Sequence, residues 1–145
     1  QGEEVNIIDL AIRYAWTFLG RWYKWGGDDP SGFDCSGLAC ELLQAVGKIP
    51  PKSDYNAVGL SGMFPKVDLP KAGCLAFWCS GGNQRSNIAH VEFCIDEKHT
   101  IGASGGGSAT ITERDAVKQN AFIKIRPIDR ARVLWGYVDP FLNDR

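Results

Sequence analysis

One of the five cysteines, Cys35, stands where a loop rich in glycine and turn residues meets a segment with helical periodicity. Residues 32–38 read Gly-Phe-Asp-Cys-Ser-Gly-Leu. The unpaired N–H groups and positive dipole of a helix N-terminus stabilise a thiolate, the nucleophilic form of cysteine. The backbone N–H of Cys35 would begin an oxyanion hole, and the small residues Ser36 and Gly37 would let a substrate carbonyl approach. The plainer alternative is a cysteine that only packs beneath its helix.

A cysteine nucleophile needs a general base, and histidine is the usual one. The chain has two histidines, His90 and His99. His90 begins an apolar strand pattern, and strand periodicity places Glu92 on the same face. His99 follows a predicted turn at residues 96–98 and is expected to face solvent. Although a lone histidine is more often structural than catalytic, His90 is the predicted partner of Cys35.

Helices that precede a series of strands would position these two residues. Three helices are predicted: from Asn6 as N-cap to Gly20, from Cys35 or Ser36 to residue 46, and a short one at residues 55–60. Six apolar segments separated by turn residues are predicted as strands: 74–79, 90–95, 100–103, 109–112, 122–127 and 133–138. This order predicts an α+β fold with a mostly antiparallel sheet.

Composition limits the classes of function. The chain has 145 residues, and we expect one domain over residues 1–145. With 44% hydrophobic and 23% charged residues, it is typical of globular proteins rather than disordered ones. A net charge of −1 without a basic stripe argues against a nucleic-acid partner. No apolar run is long enough to span a membrane.

The sequence leaves location open. Residues 1–4 carry neither the basic region nor the apolar segment of a secretory signal. Periplasmic, extracellular and phage- or assembly-delivered locations therefore all stay possible. No feature of the chain calls for a subunit partner, and we expect a monomer.

Three blocks of residues resemble a known family. Residues 23–27, Tyr-Lys-Trp-Gly-Gly, followed by the block around Cys35, resemble the signature of the NlpC-type, papain-like peptidases of bacterial cell walls. Residues 71–78, Lys-Ala-Gly-Cys-Leu-Ala-Phe-Trp, resemble that family's Pro-Gly-Asp-Leu-x-x-Phe segment. Residues 90–93, His-Val-Glu-Phe, resemble its His-Val-Gly-Ile strand. The likeness extends over residues 12–104 in the same order.

The resemblance implies a papain-like core, with helices packed on a sheet of five to six strands. It also implies hydrolysis of D-glutamyl bonds in the stem peptides of peptidoglycan, without a cofactor. The implied roles are Cys35 as nucleophile, His90 as base, Tyr23 near the oxyanion, and Asp34 and Ser36 as ligands of the substrate's amine. Trp25, one of the aromatic residues ahead of the cysteine, is expected to line the cleft.

This chain departs from the family pattern at the position of the third polar residue. It is usually a histidine about twelve positions after the strand histidine, and here that position is Gly102. A hairpin centred on Asp96 would place Gly102 across from His90. The imidazole could then be held by a backbone carbonyl, by a water in the space beside Gly102, by Ser104 or by Glu92. With that space empty, Gly102→His is expected to be neutral or to raise the rate.

Three other interpretations stay open. The pairs Cys35/Cys40 and Cys74/Cys79 have four intervening residues, as some zinc ligands do, although Cys40 lies inside a predicted helix. A papain-fold module that binds the cell wall with weak or no activity would explain the missing third residue. A related amidase or acyltransferase would use the same nucleophile on another acyl group.

Overall fold

Four α-helices and eight strands form the part of the chain that the computed structural model describes, residues 6–29 and 32–145. In chain order they are α1 Ile7–Trp16, β1 Asp28–Asp29, β2 Gly32–Phe33, α2 Cys35–Ala45, α3 Ala57–Ser61, β3 Lys66–Val67, β4 Leu75–Cys79, β5 Ile88–Cys94, β6 His99–Ser104, α4 Glu113–Gln119, β7 Phe122–Pro127 and β8 Val133–Val138. The residues considered for a secretory signal, 1–4, lie outside the described residues.

Six of the strands form one antiparallel sheet in the order β3-β8-β4-β5-β6-β7. One face of the sheet packs against the helices in the main core, which includes Leu38 and Leu42 of α2 and Val91 and Phe93 of β5. The opposite face carries a smaller cluster: Cys74, Ala76, Trp78, Cys94, Ile128 and Tyr137. The predicted α+β class and the five to six strands are confirmed.

Most element ends lie within two residues of the positions predicted from local signals. Asn6 caps α1, as predicted, because its side chain accepts hydrogen bonds from two backbone N–H groups in the first turn. The helix ends at Trp16 rather than at Gly20, since residues 17–20 form turns. α2 begins at Cys35, and β7 and β8 have the predicted bounds.

One predicted strand was wrong. Residues 109–112 form no strand and lie in an irregular segment just before α4, a helix that was not predicted from the sequence. Thr112 caps α4 and Asp115 completes a capping box, in which each side chain accepts a hydrogen bond from the backbone N–H of the other residue. Thr112, the last residue of the predicted strand, therefore caps a helix, and the Thr-x-x-Asp spacing was the signal for it.

The start of α2 packs tightly against the preceding loop. Asp34 is the N-cap, and its Oδ1 accepts a hydrogen bond of 2.7 Å from the N–H of Gly37. A Cβ at Gly37 would lie 1.9 Å from the carbonyl oxygen of Gly27. Gly37 is thus required by the close approach of the loop. That its small size also serves substrate access stays a prediction.

This packing predicts that Gly37→Ala lowers the free energy of unfolding by about 1–3 kcal/mol, the usual range for overpacking. Gly59 is a matched control, because it holds the same third position in α3 and its N–H also bonds to the N-cap side chain. Its added Cβ would come no nearer than 3.2 Å to another atom. Urea unfolding of both variants checks the prediction, and equal losses would contradict it.

Candidate active site

A cleft of about 810 Å³ opens between the helices and one end of the sheet. Its helical wall comes from the N-terminal ends of α2 and α3, and its sheet wall from β5, β6, β7 and the loop after β6. The cleft brings together seven of the residues singled out in the sequence: Tyr23, Trp25, Asp34, Cys35, Ser36, His90 and Ser104. Glu92 and Gly102 do not line it.

Cys35 and His90 face each other across this cleft. Cys35 is the first residue of α2 and is partly exposed, whereas His90, in β5, is only 7% exposed. Cys35 is close enough to His90 to help raise the pKa of the imidazole. The Nε2 atom of His90 lies 2.5 Å from Oε2 of Glu92, which leaves Nδ1 for the cysteine.

Glu92 is fully buried and hydrogen-bonded on both carboxylate oxygens. Oε2 contacts His90 and also accepts from Nη1 of Arg130 at 3.1 Å. Oε1 accepts from Oγ1 of Thr100 at 2.6 Å and from Nη2 of Arg130 at 3.3 Å. The guanidinium of Arg130 lies 4.2 Å from the centre of the Trp78 ring, which covers it. A buried carboxylate held in this way has a fixed orientation, and it fixes the imidazole in turn.

The hairpin register differs by two residues from the predicted one. Phe93 pairs with Ile101 and Cys94 with Thr100. Continued along the strands, this register sets Glu92 beside Gly102, as their close contact also shows, and His90 opposite Ser104. The turn is centred on residue 97 rather than on Asp96, because the Asp96 side chain accepts hydrogen bonds from the two N–H groups at positions 98 and 99. Moving the centre of a hairpin by one residue moves its pairing by two.

The space beside Gly102 is therefore occupied. A Cβ built on Gly102 would lie 2.4 Å from Cγ of Glu92 and 2.8 Å from its Cδ. The expected empty space across from His90 was wrong, and so was the expectation that Gly102→His would be tolerated there. Of the proposed substitutes for the third residue, Glu92 contacts the imidazole, whereas Ser104 instead accepts a hydrogen bond of 2.8 Å from Arg126.

Charge in the site follows from these contacts. Burial disfavours the charged form of His90, but the hydrogen bonds with Cys35 and Glu92 outweigh burial and raise the pKa of His90 to about 9. Burial would raise the pKa of Glu92, but His90 and Arg130 lower it to about 2. At neutral pH the pair is therefore an imidazolium and a carboxylate.

Tyr23 and Asp34 border the cysteine. Tyr23 is buried, and burial together with the nearby Cys35 and Asp34 raises its pKa, so its phenol stays protonated and can donate a hydrogen bond. Both oxygens of Asp34 already accept hydrogen bonds, from the N–H of Gly37, the N–H of Gly26 at 3.0 Å and the hydroxyl of Ser36 at 3.4 Å. Asp34 thus ties the loop before α2 to the helix itself.

Five residues around the cleft that bear on its chemistry were not found from the sequence: Asp54, Thr100, Arg126, Arg130 and Arg132. Thr100 lies two positions before Gly102 in a predicted strand, so strand periodicity was a signal that it shares a face with Gly102. Arg130 lies in the turn between β7 and β8, thirty-eight residues from Glu92, and no local pattern connects them.

Within the described ranges, no three His, Cys, Asp or Glu side chains cluster where they could hold a metal ion. In the same ranges, no helix combines the length and the apolar character needed to cross a membrane.

An antiparallel sheet with a cysteine at the start of a packed helix and a histidine on the facing strand defines a papain-like α+β domain. Residues 20–126 match the family model described as the NlpC/P60 family. The match covers more than half of the chain, and the protein belongs to the NlpC/P60 family.

Relatives agree with this assignment. The chain is 40% identical over 78 residues to Protein P54 of Enterococcus faecium, covering 49% of this chain and 14% of the relative. It is 29% identical over 119 residues to the peptidoglycan endopeptidase RipB of Mycobacterium tuberculosis, covering 72% of this chain and 47% of RipB. The chain thus spans less than half the length of either relative.

Among solved structures, the NlpC/p60 domain of the peptidoglycan hydrolase SagA shares the fold. The superposition has a TM-score of 0.67 at 24% sequence identity, and it covers 93% of this chain and 99% of the other. At this level of identity the likeness concerns the fold.

The contact between Gly102 and Glu92 predicts that Gly102→Ala lowers the free energy of unfolding by about 1–3 kcal/mol, because the new methyl group displaces a buried, hydrogen-bonded carboxylate. In a Glu92→Ala background the same change should cost much less, and this difference is the coupling energy of a double-mutant cycle. Gly82→Ala, whose Cβ would come no nearer than 3.4 Å to another atom, is the control. Additive losses in the cycle would contradict the prediction.

Proposed function

We propose that this protein is a peptidoglycan hydrolase: a cysteine endopeptidase that cleaves D-glutamyl-type peptide bonds in stem peptides. The observation that carries the proposal is the chain of contacts from Cys35 through His90 to Glu92 at one end of an open cleft. Membership of the NlpC/P60 family supports it, as do the names of RipB and of the probable endopeptidase p60 of Listeria welshimeri.

In the proposed reaction the thiolate of Cys35 attacks the carbonyl carbon of the bond to be cut. The backbone N–H of Gly37 is taken by Asp34, which leaves those of Cys35 and Ser36 at the helix end as donors to the oxyanion. The protonated phenol of Tyr23 is a third donor. These groups stabilise the negative charge as it develops on the carbonyl oxygen.

His90 acts first as general acid and then as general base. As an imidazolium it donates its proton to the leaving amine, so the C–N bond breaks and a thioester on Cys35 remains. The neutral imidazole then takes a proton from water, the hydroxide attacks the thioester, and the thiolate leaves. Glu92 stabilises the imidazolium and fixes its ring, which is the part that the family's third residue plays.

The substrate's amine is proposed to bind on the helical wall. Asp34 and Ser36 keep the role that the family resemblance implies, although both oxygens of Asp34 also serve the protein backbone. Asp54, on the same wall, adds a second carboxylate close enough to affect the titration of Asp34. Trp25, about half exposed, offers a ring for the peptide to pack on.

Cys35→Ala should lower turnover at least about a thousandfold while the fold is retained, because no other group replaces the nucleophile. Turnover is measured by mass spectrometry of defined muropeptides after incubation with each form of the protein. Cys40→Ala is the matched control, since Cys40 is buried in the same helix and does not line the cleft. No product with the unmodified protein would contradict the proposed function and favour a wall-binding module.

The pH dependence tests the part of Glu92. The carboxylate favours the charged imidazole, so its removal lowers the pKa of His90. The alkaline limb of kcat/KM, expected near pH 9 from the pKa of about 9, should move to lower pH by about one unit in Glu92→Gln.

Asp96→Asn is the control for that profile, because Asp96 forms the chain's other described histidine–carboxylate pair, exposed and remote from the cleft. If Glu92→Gln fails to fold, Glu92→Asp is the second variant, because it keeps a negative charge near Arg130. An unchanged alkaline limb in folded Glu92→Gln would contradict the assignment of Glu92.

A further inference from the structure

The two walls of the cleft carry opposite charges. The helical wall has Asp34 and Asp54, while the sheet wall has Arg126 and Arg132. Over the described residues, neither arginine forms an ion pair. Arginines in a cleft beside the reacting groups, with no protein carboxylate to neutralise them, form a site prepared for an anion.

Arg126 is held in place close to the base. Its Nη1 donates a hydrogen bond of 2.8 Å to Oγ of Ser104, and Ser104 lines the cleft together with His90. The nearest buried carboxylate, Glu92, is already bound by His90, Arg130 and Thr100. Since a guanidinium has five N–H donors, Arg126 keeps most of its donors for a ligand.

The positive character of this wall extends along β7. Lys124 lies two residues before Arg126 on the same strand, and burial together with the charge of Arg126 lowers its pKa. Lys124 donates to the carbonyl of Asn120 and lies over the ring of Phe122, and it does not line the cleft. Arg126 is therefore the member of the pair that a ligand in the cleft can reach.

We propose that Arg126 is the centre of a carboxylate subsite, and that the protein selects substrates with a free carboxylate beside the bond that is cut. This rests on the proposed function. A planar guanidinium matches a carboxylate with two parallel hydrogen bonds, which a single-point cation cannot do. Arg132, exposed at the rim, adds positive charge to the same wall.

A γ-linked glutamyl residue carries such a group. Its α-carboxylate is separated from the reacting γ-carbonyl by three carbon atoms, roughly 4–5 Å in an extended conformation. Cys35, His90, Ser104 and Arg126 line the same cleft, so with the carbonyl between Cys35 and His90 we expect the carboxylate to lie against the Ser104–Arg126 pair. The amine on the helical wall and the carboxylate on the sheet wall would then fix the peptide across the cleft.

The test uses two stem peptides that differ at one group. One has the free α-carboxylate on the γ-linked D-glutamyl residue, and the other has the neutral α-carboxamide. The unmodified protein should cleave the acid with a kcat/KM at least about tenfold higher, as expected for a hydrogen bond between charged groups. Arg126→Gln should lower the value for the acid to about that for the amide, with little effect on the amide.

Lys124→Gln, which removes a neighbouring charge outside the cleft, should keep the preference. If the unmodified protein cleaves neither peptide, the proposed function fails. If it cleaves both equally, or if Arg126→Gln keeps the preference for the acid, the subsite is wrong while the proposed function stands. Arg126→Lys keeps the positive charge but loses the two parallel hydrogen bonds of the guanidinium. We expect this variant to keep less than half of the preference for the acid over the amide.

Discussion

Glu92 accepts hydrogen bonds from three side chains that come from different parts of the fold: His90 on β5, Thr100 on β6 and Arg130 in the turn before β8. A carboxylate that is fully buried is stable only where its charge and its lone pairs are satisfied. Strand pairing, the turn that carries Arg130 and the orientation of the imidazole must therefore form together. The geometry of the cleft depends on this network as much as on its own lining.

One steric fact explains two departures from the family pattern. The family carries a small glycine where this chain has Glu92, and a large polar residue where it has Gly102. Because the two positions lie side by side, the Glu92 side chain occupies the volume that a residue at 102 would need. The group that contacts the base has moved to the strand of the base itself. In this chain the space beside Gly102 is thus filled by the side chain that contacts His90.

Much of the site could be predicted from local sequence. The glycine-rich loop before a helix marked Cys35, and the small number of histidines marked His90, because each signal lies within a few residues. The register of the hairpin could not be predicted in the same way, since the Asp96 side chain decides where the turn is centred. Arg130 gave no signal at all, because its contact with Glu92 forms only when the sheet is complete. The α+β class could be predicted from the periodicity of apolar residues alone. That prediction holds even when the bounds of the helices and strands are wrong by a few residues.

The shared volume of Glu92 and Gly102 also constrains how such a site could have arisen from the family's usual arrangement. A glutamate introduced first would collide with the large residue still present at position 102. A glycine introduced first would leave the histidine unsupported until the glutamate followed, although the chain could still fold. The second order avoids the collision, whereas the first does not. This history would also need Arg130, or another cation, in place before the carboxylate was buried.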